Sequence, residues 1–477
     1  MRARRLSELV ELMQPAPVEV FGDDVEVGPD VILDSRHVTP GSLFVAIPGE
    51  RVDGHDFAPT AVQSGAAAIL ATRVTDAPVP HLLVEDTVKG LSWLARGVVR
   101  EARAAGMVSL GVTGSSGKTS TKDLLAQLLE GLGGTVAPVG SQNNEIGVPV
   151  TACRVGPTTR FLVSEMGARG IGHIDWLTSL VGLDVGVVLN IGTAHVGEFG
   201  GIEQTAAAKS EIIAALAPEG WAVLNGEDPA CRGMASRTRA RLVWFGEGDL
   251  PDGAMQVGAR DVRCGPTSQA SFTLRVTREG RTEEAPVDLQ VIGRHQVSNA
   301  LAAAAAAVCV GMPVALAAER LSAAQPRSSW RMELLRLAED RLVLNDAYNA
   351  NPDSMAAALR TASELVAVQR QRHPGARLIA VLGDMLELGP LSDTLHAAVG
   401  ELAADLRVDE ILAVGEHAEA VVTAASAAGV AARCSSREEA CALTLAPGDV
   451  LLVKGSRGIG LERVAAEVAA AVGEEKP

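Results

Sequence analysis

The run Thr113-Gly114-Ser115-Ser116-Gly117-Lys118-Thr119, followed by Ser120, has the composition of a phosphate grip. Glycines let backbone amides turn inward and form a nest for phosphate oxygens. Lys118 would bring an ammonium to the β- and γ-phosphates of a nucleoside triphosphate, and the Thr119 hydroxyl suits a magnesium ion. A helix starting there adds the positive end of its dipole. The general pattern G-x-x-x-x-G-K-[ST] needs glycine at position 112, where this chain has Val112, so a shorter form is present. The alternative is a Gly/Ser turn that merely joins strand to helix; the buried-type apolar run at 107–112 just before it favours the grip.

Other candidates are more scattered. Glu165 closes the apolar run 160–166, and open α/β sheets place ligands at the carboxyl ends of their strands. A carboxylate there suits a hard Mg²⁺ ion shared with Thr119, or an edge salt bridge. His195 follows the run 184–190 and a Gly-Thr turn; imidazole is an uncommon Mg²⁺ ligand, so chemistry alone favours a core or hydrogen-bonding histidine. Lys209, mid-helix in AAAKSEII, reads on its own as a solvated lysine. The Asn299 amide both donates and accepts, as adenine requires. Asp346 ends a strand run and could accept from ribose hydroxyls, and Arg331 is a candidate for a nucleotide contact across a domain gap. The alternative for each of these three is a cap or a surface polar group, and His295 could equally be a capping or core histidine or a substrate contact.

Elements of the right kind surround these residues. Residues 1–84 read as a small α/β unit with strand runs at 42–47 and 66–71, followed by a helical stretch at 86–105. Strand, loop and helix then follow over 107–132, and apolar runs at 160–166, 184–190 and 221–225 alternate with helical stretches. That alternation predicts a mostly parallel sheet covered on both faces. Residues 255–292 suggest a small antiparallel patch of short segments. A third unit begins near Pro326, with runs at 341–346, 377–383, 410–414 and 449–455 that predict a second open, Rossmann-like sheet. The expectation is an α/β protein of three domains, at 1–84, 85–325 and 326–477, which fits 477 residues at roughly 150 per domain.

Composition excludes several classes. A net charge of −16 opposes a nucleic-acid scaffold, which carries a basic stripe. Six cysteines without C-x-x-C spacing or a histidine cluster read as reduced thiols, not a disulfide frame or zinc site. The arginines of MRARRLSELVELM precede an apolar stretch broken by Glu8 and Glu11, so an amphipathic helix is expected in place of a signal peptide. The uncharged run 300–318 is mostly alanine and is interrupted by Gly311 and Pro313, as in packed helices of a soluble chain. The expected location is the cytoplasm and the expected state a monomer.

T-G-x-x-G-K-T is the loop form of the Mur ligases, the ATP-dependent ligases that extend the peptidoglycan precursor, and the rest of the chain resembles that family in order and spacing. The matching segments are Asn143-Asn144-Glu145-Ile146-Gly147-Val148-Pro149, Glu165-Met166-Gly167-Ala168, Gly192-Thr193-Ala194-His195, Ala208-Lys209-Ser210-Glu211, and Gly293-Arg294-His295 with Asn299. The resemblance implies ATP held by Thr113 to Ser120 with Asn299, beside the candidates Arg331 and Asp346 named above. It implies two Mg²⁺ ions on Thr119, Glu165, His195 and a Lys209 carbamylated by CO₂, with Lys118, Glu165, His195 and Lys209 as the catalytic group. A desolvated lysine loses its proton more readily, and the neutral amine can capture CO₂.

Within the family, Asp346-Ala347-Tyr348-Asn349-Ala350-Asn351-Pro352-Asp353-Ser354-Met355 and Lys454-Gly455-Ser456-Arg457 resemble the branch that joins D-alanyl-D-alanine to UDP-N-acetylmuramoyl-tripeptide. The D-N-P-R of the sister branch that adds the third residue is absent. Asp34-Ser35-Arg36 resembles the uridine-end segment, which makes Ser35 and Arg36 candidate contacts for the UDP substrate. Asn349, Asn351, Lys454 and Arg457 are the candidates for the dipeptide, whose carboxylate calls for a cation. A sister ligase and a P-loop NTPase switch are the rival expectations.

Overall fold

The computed structural model describes residues 1–49, 52–192 and 201–473. Three larger sheets organise the chain. The first has five strands in the order Glu19–Phe21, His81–Leu83, Ala68–Ala71, Leu43–Val45 and Val31–Ile32, parallel except for the first pair. The amphipathic segment near the N-terminus forms the short helix Leu6–Leu12, with Leu6 and Leu9 buried.

The central sheet has nine strands. Its order from one edge is Arg281–Ile292, Gln269–Arg278, Met255–Cys264, Arg241–Gly246, Trp221–Asn225, Val185–Val188, Val108–Thr113, Thr159–Glu165 and Gly134–Val136. The six strands from Gly134–Val136 to Arg241–Gly246 run parallel, and the apolar residues of the five inside the edge strand Gly134–Val136 are largely buried, as two-sided cover demands. Residues 255–292 differ from the short patch expected. They form three strands of ten to twelve residues that extend the same sheet, and alternate side chains face the core. The alanine run becomes two helices, Gln296–Cys309 and Val314–Ala323, separated at Gly311 and Pro313. Small side chains let the first of these pack closely against the phosphate-loop helix Lys118–Leu129. Among the described residues no helix is long and apolar enough to cross a membrane.

The third sheet has six strands: Glu333–Leu337, Arg341–Asp346, Val450–Lys454, Leu378–Gly383, Glu410–Val414 and Ala431–Cys434. Only its first pair is antiparallel. Helices cover both faces over two apolar layers.

The helix Thr87–Ala104, capped by Asp86, joins the first two units by packing on Leu6–Leu12 on one side and on Gly147–Cys153 and His173–Val181 on the other. Gly97 is the point of closest approach: a Cβ there would overlap the Leu12 carbonyl oxygen, which is backbone and cannot swing aside. Gly97→Ala is therefore expected to lower stability by about 1–3 kcal/mol despite alanine's better helix propensity. A urea titration checks this, and an unchanged midpoint would contradict it.

Candidate active site

Strand Val108–Thr113 lies between Val185–Val188 and Thr159–Glu165, so the sheet order reverses beside it. Such switch points open a crevice at the carboxyl ends of the strands, and the phosphate loop occupies it. Gly117 takes φ +78°, and a Cβ there would overlap Asn299 Oδ1. Helix Lys118–Leu129 begins without a side-chain cap, which leaves its first N–H groups for an anion. The Ser115 and Ser116 N–H groups donate to Asn190 Oδ1 at 3.0 and 2.9 Å, and the Gly192 N–H donates to Ser115 Oγ at 2.9 Å. Lys118 Nζ folds back on the Gly114 carbonyl at 2.7 Å. Burial pushes the Lys118 ammonium below its ordinary range, and Glu165 opposes that shift.

Glu165 is fully buried. Its Oε2 accepts from Thr119 Oγ1 at 2.8 Å, and its Oε1 accepts from Ser141 Oγ and Asn143 Nδ2, both at 2.8 Å. All three donors are neutral, and among the described residues no cation forms an ion pair with Glu165. A carboxylate, two hydroxyls and an amide oxygen on one wall of a crevice form the hard-oxygen donor set that magnesium prefers.

Lys209 corrects the reading of its residue type alone. It lies in helix Ile202–Ala214 but is 1% exposed, not solvated. Burial, reinforced by the Lys118 charge, pushes its amine down to about 7. His195 lies outside the described residues.

The last unit closes the crevice into a cleft of about 990 Å³. Asp353 sits so close to Gly192 that no Cβ would fit there, so this unit lies against the segment that holds the loop. Lys454, fully buried, donates to Asp346 Oδ2 at 2.6 Å and to the Asn349 carbonyl at 2.8 Å. Asp346 Oδ1 accepts from the Met332 N–H at 3.0 Å, so this carboxylate also pins the first residues of the last unit. The Arg331 guanidinium lies 4.0 Å from the Tyr348 ring centroid, and that of Arg457 lies 4.3 Å from Trp330 while pairing with Glu462. Asn351 caps helix Pro352–Arg372 by accepting from the Ser354 N–H at 2.8 Å. Asn299 bridges Gln296 and Thr121 behind the loop and also borders the cleft.

Of the sequence-derived candidates, the cleft brings together Ser115 to Ser120, Glu165, Lys209, Asn299, Arg331, Asp346, Asn349, Asn351, Lys454 and Arg457. Thr113 and Gly114 stand behind it; the Thr113 hydroxyl donates to the Met166 carbonyl at 2.8 Å. Ser35 and Arg36 lie apart in the first unit, where exposed Arg36 makes a paired contact with Asp34. Sequence reasoning missed Ser141, Asn190 and Asp228 as site residues. Asp228 accepts from the Ile191 N–H at 2.7 Å and so fixes the chain leading into Gly192. The one available signal was a short polar residue, Asn190, ending a strand run.

A phosphate loop at a sheet's switch point, facing a second parallel sheet across a shared cleft, defines a nucleotide-dependent enzyme with a split site. Family descriptions match at three places: "Mur ligase family, catalytic domain" over 31–98, "Mur ligase middle domain" over 112–307, and "Mur ligase, glutamate ligase domain" over 330–457. The UDP-N-acetylmuramoyl-tripeptide–D-alanyl-D-alanine ligase of Mycobacterium tuberculosis H37Rv is 39% identical over 96% of both chains. That of Escherichia coli K12 is 36% identical over 96% of this chain and 97% of its own. A crystal structure of MurF from Acinetobacter baumannii superposes with a TM-score of 0.84 at 30% identity, covering 98% and 99% of the two chains. MurF from Thermotoga maritima in complex with ADP gives 0.75 at 28% identity, covering 93% and 97%. The chain belongs to the Mur ligase family.

The Lys209 environment generates a stability test. Its folded pKa of about 7 lies below the free-lysine value of 10.5, so the unfolded chain binds more protons between those limits. Stability from this group therefore rises with pH through that window and is lost as pH falls toward 7. In degassed, metal-free buffer the wild type should gain a few kcal/mol relative to Lys209→Met between about pH 7 and 9.5. Parallel pH profiles of the two proteins would contradict the burial.

Proposed function

We propose that this chain uses ATP to activate the terminal carboxylate of UDP-N-acetylmuramoyl-tripeptide and joins it to the amine of D-alanyl-D-alanine, in peptidoglycan precursor synthesis. The observation that carries the reading is the single cleft shared by the phosphate loop, buried Glu165 and the last unit's Asn349, Lys454 and Arg457. Chains 36–39% identical over nearly their full length carry the name of that activity.

A carboxylate is a poor acyl donor because oxide is a poor leaving group. Attack of the substrate carboxylate on the γ-phosphorus releases ADP and leaves an acyl phosphate. The dipeptide amine then attacks the acyl carbon, the tetrahedral intermediate expels phosphate, and the nitrogen loses its proton as the amide forms. Negative charge accumulates where carboxylate meets γ-phosphate. The uncapped first N–H groups of helix Lys118–Leu129 would face that charge, and Lys118 would reach it by releasing the Gly114 carbonyl. Thr119 and Glu165 would hold Mg²⁺, which when bound supplies Lewis-acid neutralisation. His195 would serve a second ion, and Lys209, whose amine is pushed down to about 7 so that a large neutral fraction exists near neutral pH, would carry the carbamate that completes the set. Ser35 and Arg36 are assigned to the uridine end, and Asn299, Arg331 and Asp346 to the nucleoside side of ATP.

Phosphate release with ATP and Mg²⁺ should require both UDP-N-acetylmuramoyl-tripeptide and D-alanyl-D-alanine; equal release with neither would end the reading. Lys209→Ala should lose at least about a hundredfold in rate, from loss of a charge-stabilising group, and regain part of it with short carboxylic acids. A folded variant that no acid rescues would remove the carbamate role.

A further inference from the structure

Strand Leu378–Gly383 of the last sheet runs into the segment 384–389, and Leu386, Glu387 and Leu388 of that segment line the cleft beside Arg457 and Gly458. The segment is held in an uncommon shape. Glu387 adopts φ +66°, which costs a non-glycine residue roughly 1–2 kcal/mol. Such a conformation persists only where its surroundings over-determine it.

Three anchors do so. The Leu386 N–H donates to Ser456 Oγ at 3.0 Å, and the Ser456 N–H donates to the Asp384 carbonyl at 2.9 Å. The Met385 N–H donates to Nε2 of His396 at 2.9 Å. His396 is 2% exposed, and its Nδ1–H donates to the Ser392 carbonyl at 2.7 Å, which fixes the tautomer with a lone pair on Nε2. Burial pushes the imidazole below its ordinary range. The charged or titratable groups that face it are Asp384 Oδ1 at 3.8 Å and the stacked His417 ring at 4.8 Å, with Asp393 behind that ring.

Leu386 is 47% exposed, although its neighbour Leu388 is buried. Its Cδ1 lies 3.3 Å from where a Cβ on Gly458 would stand, so any side chain at 458 would crowd Leu386, and the glycine leaves this apolar side chain uncovered. An apolar side chain left open close to the Arg457 and Lys454 cations of the cleft fits a ligand that brings a methyl group as well as a charge, and burial of that methyl gives about 0.8 kcal/mol.

We propose that segment 384–388 is the wall of the cleft that receives the incoming dipeptide, with Leu386 and Gly458 taking a methyl side chain, and that His396 is the positioning residue that holds this wall. The proposal rests on the dipeptide-ligase reading above. Neutral His396 accepts from the Met385 N–H and, with Ser456, keeps Glu387 in its left-handed turn. Substituting His396 should therefore disturb the dipeptide and neither ATP nor the UDP-linked substrate.

The test uses the full chain and phosphate release, varying one substrate with the other two saturating. His396→Leu should raise the KM for D-alanyl-D-alanine about tenfold, the equivalent of one lost hydrogen bond, and leave the other two KM values unchanged. His396→Gln, whose Oε1 can accept in place of Nε2, should recover most of the loss. Should His396→Leu fail to fold, Ser456→Ala removes the second anchor and should give the same dipeptide-specific rise. An unchanged dipeptide KM, three KM values rising together, or a Gln variant as poor as Leu would overturn the proposal alone. Wild-type enzyme without dipeptide-dependent release would overturn the ligase reading, and this proposal with it.

Discussion

Glu165 buries a carboxylate at the end of a central strand and surrounds it with two hydroxyls and an amide. Neutral donors solvate such a group without cancelling its charge, and an uncancelled charge in a low-dielectric site is costly. The magnesium ion proposed above would complete this arrangement. Much of the central unit serves it: the phosphate loop delivers Thr119 from one side, the segment after the loop helix delivers Ser141 and Asn143 from another, and Lys209 stands buried nearby with a depressed pKa. On the proposed reading, an ion held here would let the site gather negative groups despite the chain's net charge of −16.

The second constraint is that the chemistry is split between units, and the linker carries the coupling. Gln325 exchanges two hydrogen bonds with Gln127, Arg327 pairs with Glu130 through two 2.6 Å contacts, and Ser328 donates to Asp123 at 2.6 Å. Asp123, Gln127 and Glu130 follow helical spacing along the phosphate-loop helix itself. From Trp330 onward the chain belongs to the last unit: the Tyr348 N–H donates to the Trp330 carbonyl and the Met332 N–H to Asp346. The change of allegiance falls between Ser328 and Trp330, so the helix that grips phosphate is also the post to which the last unit is fastened. Arg331 follows directly and borders the cleft.

What was legible in the sequence was local. The loop announced itself through glycines, a lysine and a threonine after an apolar run, and Glu165 and Asp346 through their places at strand ends. The parallel strands that were named came within one or two residues of their limits because buried parallel strands are unbroken apolar runs, whereas Gly134–Val136 and Arg241–Gly246 went unnamed. Partnerships across the chain were not legible. Nothing near Asp346 says that Lys454, 108 residues away, will pair with it. Nothing near Asn190 shows that it reaches the Ser115 and Ser116 amides. Lys209 looked solvated because its helix neighbours say nothing of the sheet that covers it. His396 carries no motif at all; its role follows from which backbone amide happens to face its Nε2.

The buried Glu165 is also the point at which the account is most directly open to test. Calorimetric titration of ADP into the wild type and into Glu165→Gln, each with and without Mg²⁺, isolates its contribution. Glutamine keeps the shape and much of the hydrogen bonding but removes the charge. The account predicts that Mg²⁺ tightens nucleotide binding in the wild type and has little effect in the variant. An equal response to Mg²⁺ in both proteins would contradict it.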